Sequence, residues 1–539
     1  MPESRNGPHV DTMRRGGGIR SGLRGCFSLR NSEIASLIDR EAWDDLVEYV
    51  DTHWVELTHS HREALVSALN AMPASVRASN ARFAAAHEYA NFIPARGPAR
   101  PTRYQHAPGK EAGLLDTLAK LTSQSAGARM VGRFADAVAA AEAALRLLRE
   151  SPAGATRAIR PVIPDLRLQW AISLQLGARL PEAIRAYERA YDEAIRHDNT
   201  RIAVEAAGSL AFDFAFLGMP TQAREWLSRV PDYSHDGSDT VHEMPALAAA
   251  LLAAHELDLD RANGILASSP TVSSETWAMR FYTESFVSTL AGNTESFPAK
   301  LLALRAAHPA ALAAAGLNHA LLAIASAGAA LTASDATRTE TAFSDLDAVH
   351  AGTSTGTREV LRAWRAVSTD ALPVALADAS GPLSEGTATP GVAAELRAVM
   401  AVIHLRNDHL DDAASHFRVC LEIVAAERLF DVLHRFSPEE LARLEDLSGQ
   451  RLPDEIRDAL ATVPPRARRS PRPAVHLTPR ERAVLRHLLD GRSRADIAQA
   501  EGLSQNTIKT QTASLYRKLN VAHREGAVRA VLAAPELLR

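Results

Sequence analysis

Cysteine is almost missing from this chain: Cys26 and Cys420 are its two copies in 539 residues. They lie far apart and without metal-ligand spacing, so a disulfide scaffold and a cysteine-based zinc site are both excluded, and a reducing, cytoplasmic location is expected. Catalytic signatures are lacking too. There is no G-x-x-x-x-G-K-[ST] run, because Gly109-Lys110 has neither the upstream glycine nor the following hydroxyl. No G-x-S-x-G, H-E-x-x-H or C-x-x-C occurs, so the chain is read as no enzyme, with no cofactor. His53, His59 and His61 cluster, but on a helix His59 and His61 diverge by about 160°, so no metal site is expected there or elsewhere. A strand-rich N-terminus with an acidic phosphoacceptor is also missing. The one long uncharged stretch, Ala306 to Ser334, carries Pro309, Gly316, Asn318 and His319 and is mostly alanine. It reads as two short core helices with a turn near Gly316 rather than a membrane span. Arg14-Arg15 is followed by Gly16-Gly17-Gly18-Ile19-Arg20 where an export signal needs an apolar stretch of roughly 7 to 15 residues, so export is rejected. With six arginines and six glycines, residues 1–30 read as a disordered basic arm.

What remains is helix. From about Ser32 to Leu460 the apolar residues follow a helical period, and within that region a unit recurs. Gly132, Gly177 and Gly218 each stand five or six residues before an alanine, Ala137, Ala183 and Ala223, that opens a new amphipathic segment. Weaker copies place Ala262 after Asp260 and Ala413 after Asp411, with Phe417 and Cys420 beyond. Small residues there let paired helices approach, and Tyr187 and Trp226 fill the space between pairs. The pattern resembles tetratricopeptide-like helical repeats, though longer than their usual period of about 34 residues. That resemblance implies a superhelix with a concave groove for a small molecule or a protein; a mere spacer or dimer scaffold is the alternative. Pro94 to Gly109 interrupts the pattern, with four prolines and no apolar period. Pro464 to Pro473, rich in proline and arginine, reads as a semi-rigid basic linker.

After the linker, three capping patterns follow in quick succession. Thr478-Pro479-Arg480-Glu481 opens a helix through about Asp490 that buries Val484, Leu485, Leu488 and Leu489, and Gly491 ends it. Ser493-Arg494-Ala495-Asp496 opens a second, very short helix that stops at Gly502. Ser504 then caps a third, Gln505 to Leu519, which completes a helix-turn-helix arrangement. At 100° per residue Ile508, Thr512, Leu515 and Leu519 share one side of that third helix, and Asn506, Lys509, Thr510, Ala513 and Arg517 share the other. The outward side offers a lysine, short hydroxyls and a methyl, which suits the acceptors and thymine methyls of a major groove. Lys518 falls on the opposite side and is expected to serve phosphate or packing. Charge agrees: residues 466–539 hold fifteen Lys or Arg against six Asp or Glu, a net of +9, which leaves −13 for the rest of a chain of net −4.

The runs LTPRERAVLRHLLDG and SRADIAQAEGLSQNTIKTQTASLYRKLNV, with Arg524 and Ala527 beyond, resemble the LuxR-type (GerE-type) DNA-binding domain. The resemblance spans about 55 residues, roughly a tenth of the chain. It implies base-reading roles for Lys509, Thr510 and Ala513, and phosphate or positioning roles for Ser504, Asn506, Thr507 and Arg517. A dimer helix over roughly Arg524 to Leu532 is also implied, with Val528, Val531 and Leu532 as its apolar stripe. Gln511 and His523 depart from the family's usual histidine and serine.

The expectation is therefore an all-α protein in four parts: the basic arm (1–30), a repeat body (31–463, with a possible break near 94–109), a linker (464–476) and the terminal domain (477–539). Such a protein would bind double-stranded DNA as a homodimer and control transcription, with RNA polymerase as partner if it activates, under a ligand held by the body. The alternative is an interaction scaffold whose terminal domain binds a partner instead of an operator.

Overall fold

The computed structural model describes residues 32–87 in large part, and 113–230, 243–269, 275–309, 316–332, 336–349, 356–464, 477–519 and 523–533, with a few single positions between. Among the described residues every regular element is helical, as the sequence implies. The expected basic arm, the Pro94–Gly109 break and most of the linker lie outside the described residues.

From Leu114 to Glu427 the helices come in pairs. Inner members such as Ile163–Leu176, Thr200–Phe216 and Glu243–His255 pack on one another in sequence order, and each also carries an outer partner, as Leu180–Arg196 does on Ile163–Leu176. The division is written in composition. Thr200–Phe216 buries thirteen of its seventeen residues, so it is apolar all round. Leu180–Arg196 buries only Leu180, Ala183, Ala186, Tyr187, Ala190 and Ala194, a single stripe at helical spacing.

Six of the turns from inner to outer helix repeat one geometry. A left-handed residue stands five positions before a fully buried alanine: Gly132 before Ala137, Ala178 before Ala183, Gly218 before Ala223, Leu257 before Ala262, Asp370 before Ala375 and Asp408 before Ala413. The amide that follows the left-handed residue reaches back to the preceding helix, as in Arg133 N to Ala128 O (2.9 Å), Arg179 N to Leu174 O (2.8 Å) and Met219 N to Phe214 O (2.9 Å). The structure corrects the expectation at Gly177, whose φ is −78°; Ala178 takes the left-handed turn instead, at φ 62°. Gly177 is needed for space, because a Cβ there would lie 2.3 Å from Val138 Cγ2.

The uncharged stretch is interrupted at the expected place. Gly316 precedes the buried Leu317–Ala330 helix, and no described helix is long and apolar enough to cross a membrane. A Cβ on Gly316 would lie 2.7 Å from the Leu176 carbonyl oxygen, which shows how closely distant pairs approach.

Among the described residues the array winds back on itself. Gly391 N donates to Gly218 O at 2.8 Å, Thr221 Oγ1 donates to Glu427 Oε2 at 2.7 Å, and Arg428 Nε donates to Glu256 Oε1 at 3.0 Å. These bonds join the third and fourth pairs to the eighth. They wall a cavity of about 130 Å³ between the inner helices. A separate apolar cluster, including Leu46, Leu57 and Phe83, forms near the N-terminus, with Trp54 stacked on Phe83 at 5.5 Å. A third, from Val484 to Val531, belongs to the terminal helices.

Candidate nucleic-acid interface

The four terminal helices are Pro479–Leu489, Arg494–Glu501, Gln505–Leu519 and Arg524–Ala533. Both expected capping boxes form. Thr478 Oγ1 accepts from Glu481 N at 3.2 Å while Glu481 Oε2 accepts from Thr478 N at 2.8 Å; Ser493 and Asp496 do the same at 3.3 and 3.0 Å. Gly491 and Gly502 both take positive φ, 85° and 64°, and end the first two helices. Ser504 Oγ accepts from Thr507 N at 3.1 Å, which caps the third helix, so both hydroxyls assigned to phosphate positioning also hold the helix start.

That third helix is divided as the periodicity requires. Ile508, Thr512 and Leu515 are buried, and Leu519 is partly so. Asn506, Thr507, Lys509, Thr510, Ala513 and Arg517 are exposed. Lys509 and Arg517 make no ion pair among the described residues, so their charge is open to an external anion. Thr510 Oγ1 donates to Asn506 O at 3.0 Å, so this hydroxyl is engaged by its own helix.

Lys518 does serve packing, through a contact the sequence reading had not placed. Its Nζ meets Glu481 Oε2 at 2.7 Å, and Ser514 Oγ donates to Glu481 Oε1 at 3.0 Å. Burial pushes the Glu481 carboxyl up, but Lys518, the Thr478 amide, Ser514 and the Thr478 hydroxyl outweigh it and hold the group at about 2. One capping carboxylate thus fixes the third helix on the first. A signal for this existed: Glu481 is the acidic member of the capping box, and Ser514 and Lys518 lie one turn apart on the flank of the helix away from Lys509.

Further ties set the angle between helices. His487 Nε2 donates to Glu501 Oε1 at 2.8 Å. Arg524 donates to the Leu488 and Gly491 carbonyls at 2.9 and 3.2 Å, closing the end of the first helix. His523 performs the cap that serine usually supplies, since its Nδ1 accepts from Gly526 N at 3.2 Å. Gln511, the other departure, is partly buried and its Oε1 has no partner among the described residues.

The apolar stripe of the fourth helix needs correction. Val531 is only 6% exposed and lies in the domain's own core with Ala527, because the helix packs on Pro479–Leu489. Val528 remains half-buried, and the Leu532 side chain lies outside the described residues. The same helix also approaches the outer helix Phe297–Ala307 of the body.

Elsewhere, His53 Nδ1 donates to the Tyr49 carbonyl at 2.9 Å, and His61 lies 3.8 Å from Glu56; His59 lies outside the described residues. A grouping the sequence reading missed brings His404, His409 and Asp412 together, with ligand atoms all within 4.8 Å. Their turn between two helices is what gathers them.

Residues 475–531 match the family described as bacterial regulatory proteins, luxR family (GerE). Comparison with curated proteins and with solved structures gave no match. The matched segment contains the first three capped helices, most of the fourth and the exposed cationic face just described, so the terminal domain is a luxR-family helix-turn-helix domain, and the chain that carries it is a DNA-binding regulatory protein.

Proposed function

We propose that this protein is a sequence-specific transcriptional regulator whose helical body, within residues 31–463, controls a DNA-binding domain at 477–539 through the basic linker 464–476. The carrying observation is the third terminal helix, which presents Lys509, Thr510 and Ala513 outward from a helix capped by Ser504 at its start and tied to the first terminal helix by Lys518. Those groups match what a major groove offers: an ammonium for guanine N7 and O6, and methyls for thymine. Ser504, Asn506, Thr507 and Arg517 border the same face and serve phosphates. DNA is bound as a homodimer through the Arg524–Ala533 helix, and an activating form would engage RNA polymerase.

Control by the body is supported by charge and by position. An acidic region of net −13 is tethered to a domain of +9, and the fourth terminal helix lies against the body's Phe297–Ala307 helix. Gel shift of the full chain at physiological salt tests the first half: one operator bound far above random DNA is expected, whereas equal weak binding favours an interaction scaffold. Deleting residues 31–460 tests the second half. Promoter output is expected to move strongly in one direction, and output identical to the full chain would remove the body from regulation.

A further inference from the structure

The cavity inside the wound array has the makings of a receptor. Its wall is largely apolar, with Phe216, Phe286, Ile324, Val360 and Val392 contributed by five different inner helices. Four hydroxyls interrupt it, at Tyr282, Ser285, Thr289 and Thr357, and that of Thr289 donates to the Ser285 carbonyl at 2.7 Å. Ser285 is 96% buried (4% exposed), and neither its Oγ nor the Tyr282 hydroxyl makes a hydrogen bond among the described residues. They sit three residues apart on Trp277–Leu290, on one face of that helix. Burial, with Asp431 nearby, pushes the Tyr282 hydroxyl well above its ordinary range, so it stays a donor.

Every charged group on the wall is already engaged. Asp431 Oδ1 meets His255 Nδ1 at 3.0 Å, while Glu395 accepts from Trp364 Nε1 at 2.6 Å and from Arg435 Nε at 2.8 Å. An ionic guest would therefore enter unpaired, at high cost. The volume, about 130 Å³, is close to the roughly 150 Å³ of an apolar cavity that admits benzene.

The cavity also reaches the exit to the DNA-binding domain. His434 lines it, and His434 Nε2 donates to the Pro464 carbonyl at 2.8 Å. The Pro464 ring stands 3.7 Å from the Cβ position of Gly292. Thus the first residue of the linker is held by a side chain of the cavity wall.

Resting on the regulatory reading above, we propose that the effector is a small neutral molecule, a single aromatic ring or its apolar equivalent of about six to ten non-hydrogen atoms bearing one hydroxyl or carbonyl. It seats its polar group on Tyr282 and Ser285, and its presence is relayed through His434 to the linker.

Calorimetric titration of the full chain with phenol, benzoate and benzylamine, to about 10 mM each, tests the class. Phenol is expected to bind and the two ions are not. Ser285→Ala should weaken phenol about five- to tenfold. Gly328 lines the cavity and a Cβ there meets nothing within 4 Å, so Gly328→Leu should fill the space and abolish phenol binding without lowering the melting temperature of the empty protein. The relay is read separately, with each protein saturated by phenol: operator affinity should change at least threefold in the wild type and not in His434→Ala. Binding of the ions as tightly as phenol, no binding of any probe, or unchanged phenol binding in Gly328→Leu would overturn the ligand class. Equal responses of operator affinity in wild type and His434→Ala would overturn the relay. Neither result touches the deletion test, which decides whether the body regulates at all.

Discussion

Lys509 is exposed, unpaired among the described residues and one turn into a capped helix. Lys509→Ala should cost about 1 to 3 kcal/mol on the preferred operator and relax discrimination there, whereas losing a linker arginine should weaken all sequences alike and reduce the salt slope by about 1. Equal losses of Lys509→Ala on operator and random DNA would move this residue to backbone contact. Two buried carboxyls titrate in opposite senses. Glu481 is held at about 2, below the ordinary glutamate value near 4.3. Its contribution is present above about pH 4.3 and is lost as pH falls through about 2. Glu481→Gln should therefore speed amide exchange of the Pro479–Leu489 helix at neutral pH, and the difference from wild type should close near pH 2. Asp213 is the reverse case. Burial raises it from 3.8 to about 7, although Gln175 Nε2 donates to its Oδ1 at 2.6 Å. The fold prefers its protonated form, so that stability is whole below about pH 3.8 and is lost as pH rises through 7. Asp213→Asn should raise the melting temperature at about pH 8 and converge with wild type toward pH 4; a constant difference across that range would contradict this assignment.

At the scale of the element, what was legible follows from whether a structural need has one chemical solution. The terminal helices begin and end within a residue of their sequence-read limits because hydroxyl caps, paired carboxylates and glycine ends are each specific to a position. The body's turns were legible only in part. The left-handed residue is glycine at 132, 218 and 292, but alanine, leucine or aspartate at 178, 257, 370 and 408. One backbone conformation was thus spelled four ways, and only the glycine spelling announces itself. The buried alanine five positions on is the more constant mark. The fourth terminal helix shows the limit of periodicity: Val528 and Val531 share a face, yet a face does not say which neighbour covers it. Since Val531 is in the domain core, the pairing surface is best tested at half-buried Val528. Val528→Asp should reduce cooperative operator occupancy while the circular dichroism spectrum stays helical. Unchanged stoichiometry on DNA would exclude this helix from the dimer.

The whole molecule depends on contacts that no local pattern encodes. Periodicity gave a stack of helix pairs but not the return of the stack onto itself, which is set by a few long-range bonds and by two glycines back to back. A Cβ on Gly391 would lie 2.8 Å from Gly218 Cα and 3.0 Å from Gly218 O, and these are backbone atoms that cannot rotate away. That approach is what allows Gly391 N to bond Gly218 O, and both glycines line the cavity. The sequence marks Gly218 as a turn residue; that it is also one half of a seam depends on a partner 173 positions away in the numbering. Gly391→Ala should therefore push the seam apart, at a cost of about 1 to 3 kcal/mol typical of overpacking. Because the seam and the cavity share these residues, the same variant should also lose phenol binding, while Gly386→Ala, whose Cβ position is open, serves as the control for a nearby glycine. Gly386 has φ 66°, so alanine there carries only local backbone strain and should lower the melting temperature without affecting the ligand. Should Gly391→Ala melt with the wild type and bind phenol equally, the array would have to be open in solution, and the cavity would cease to be a property of the folded chain.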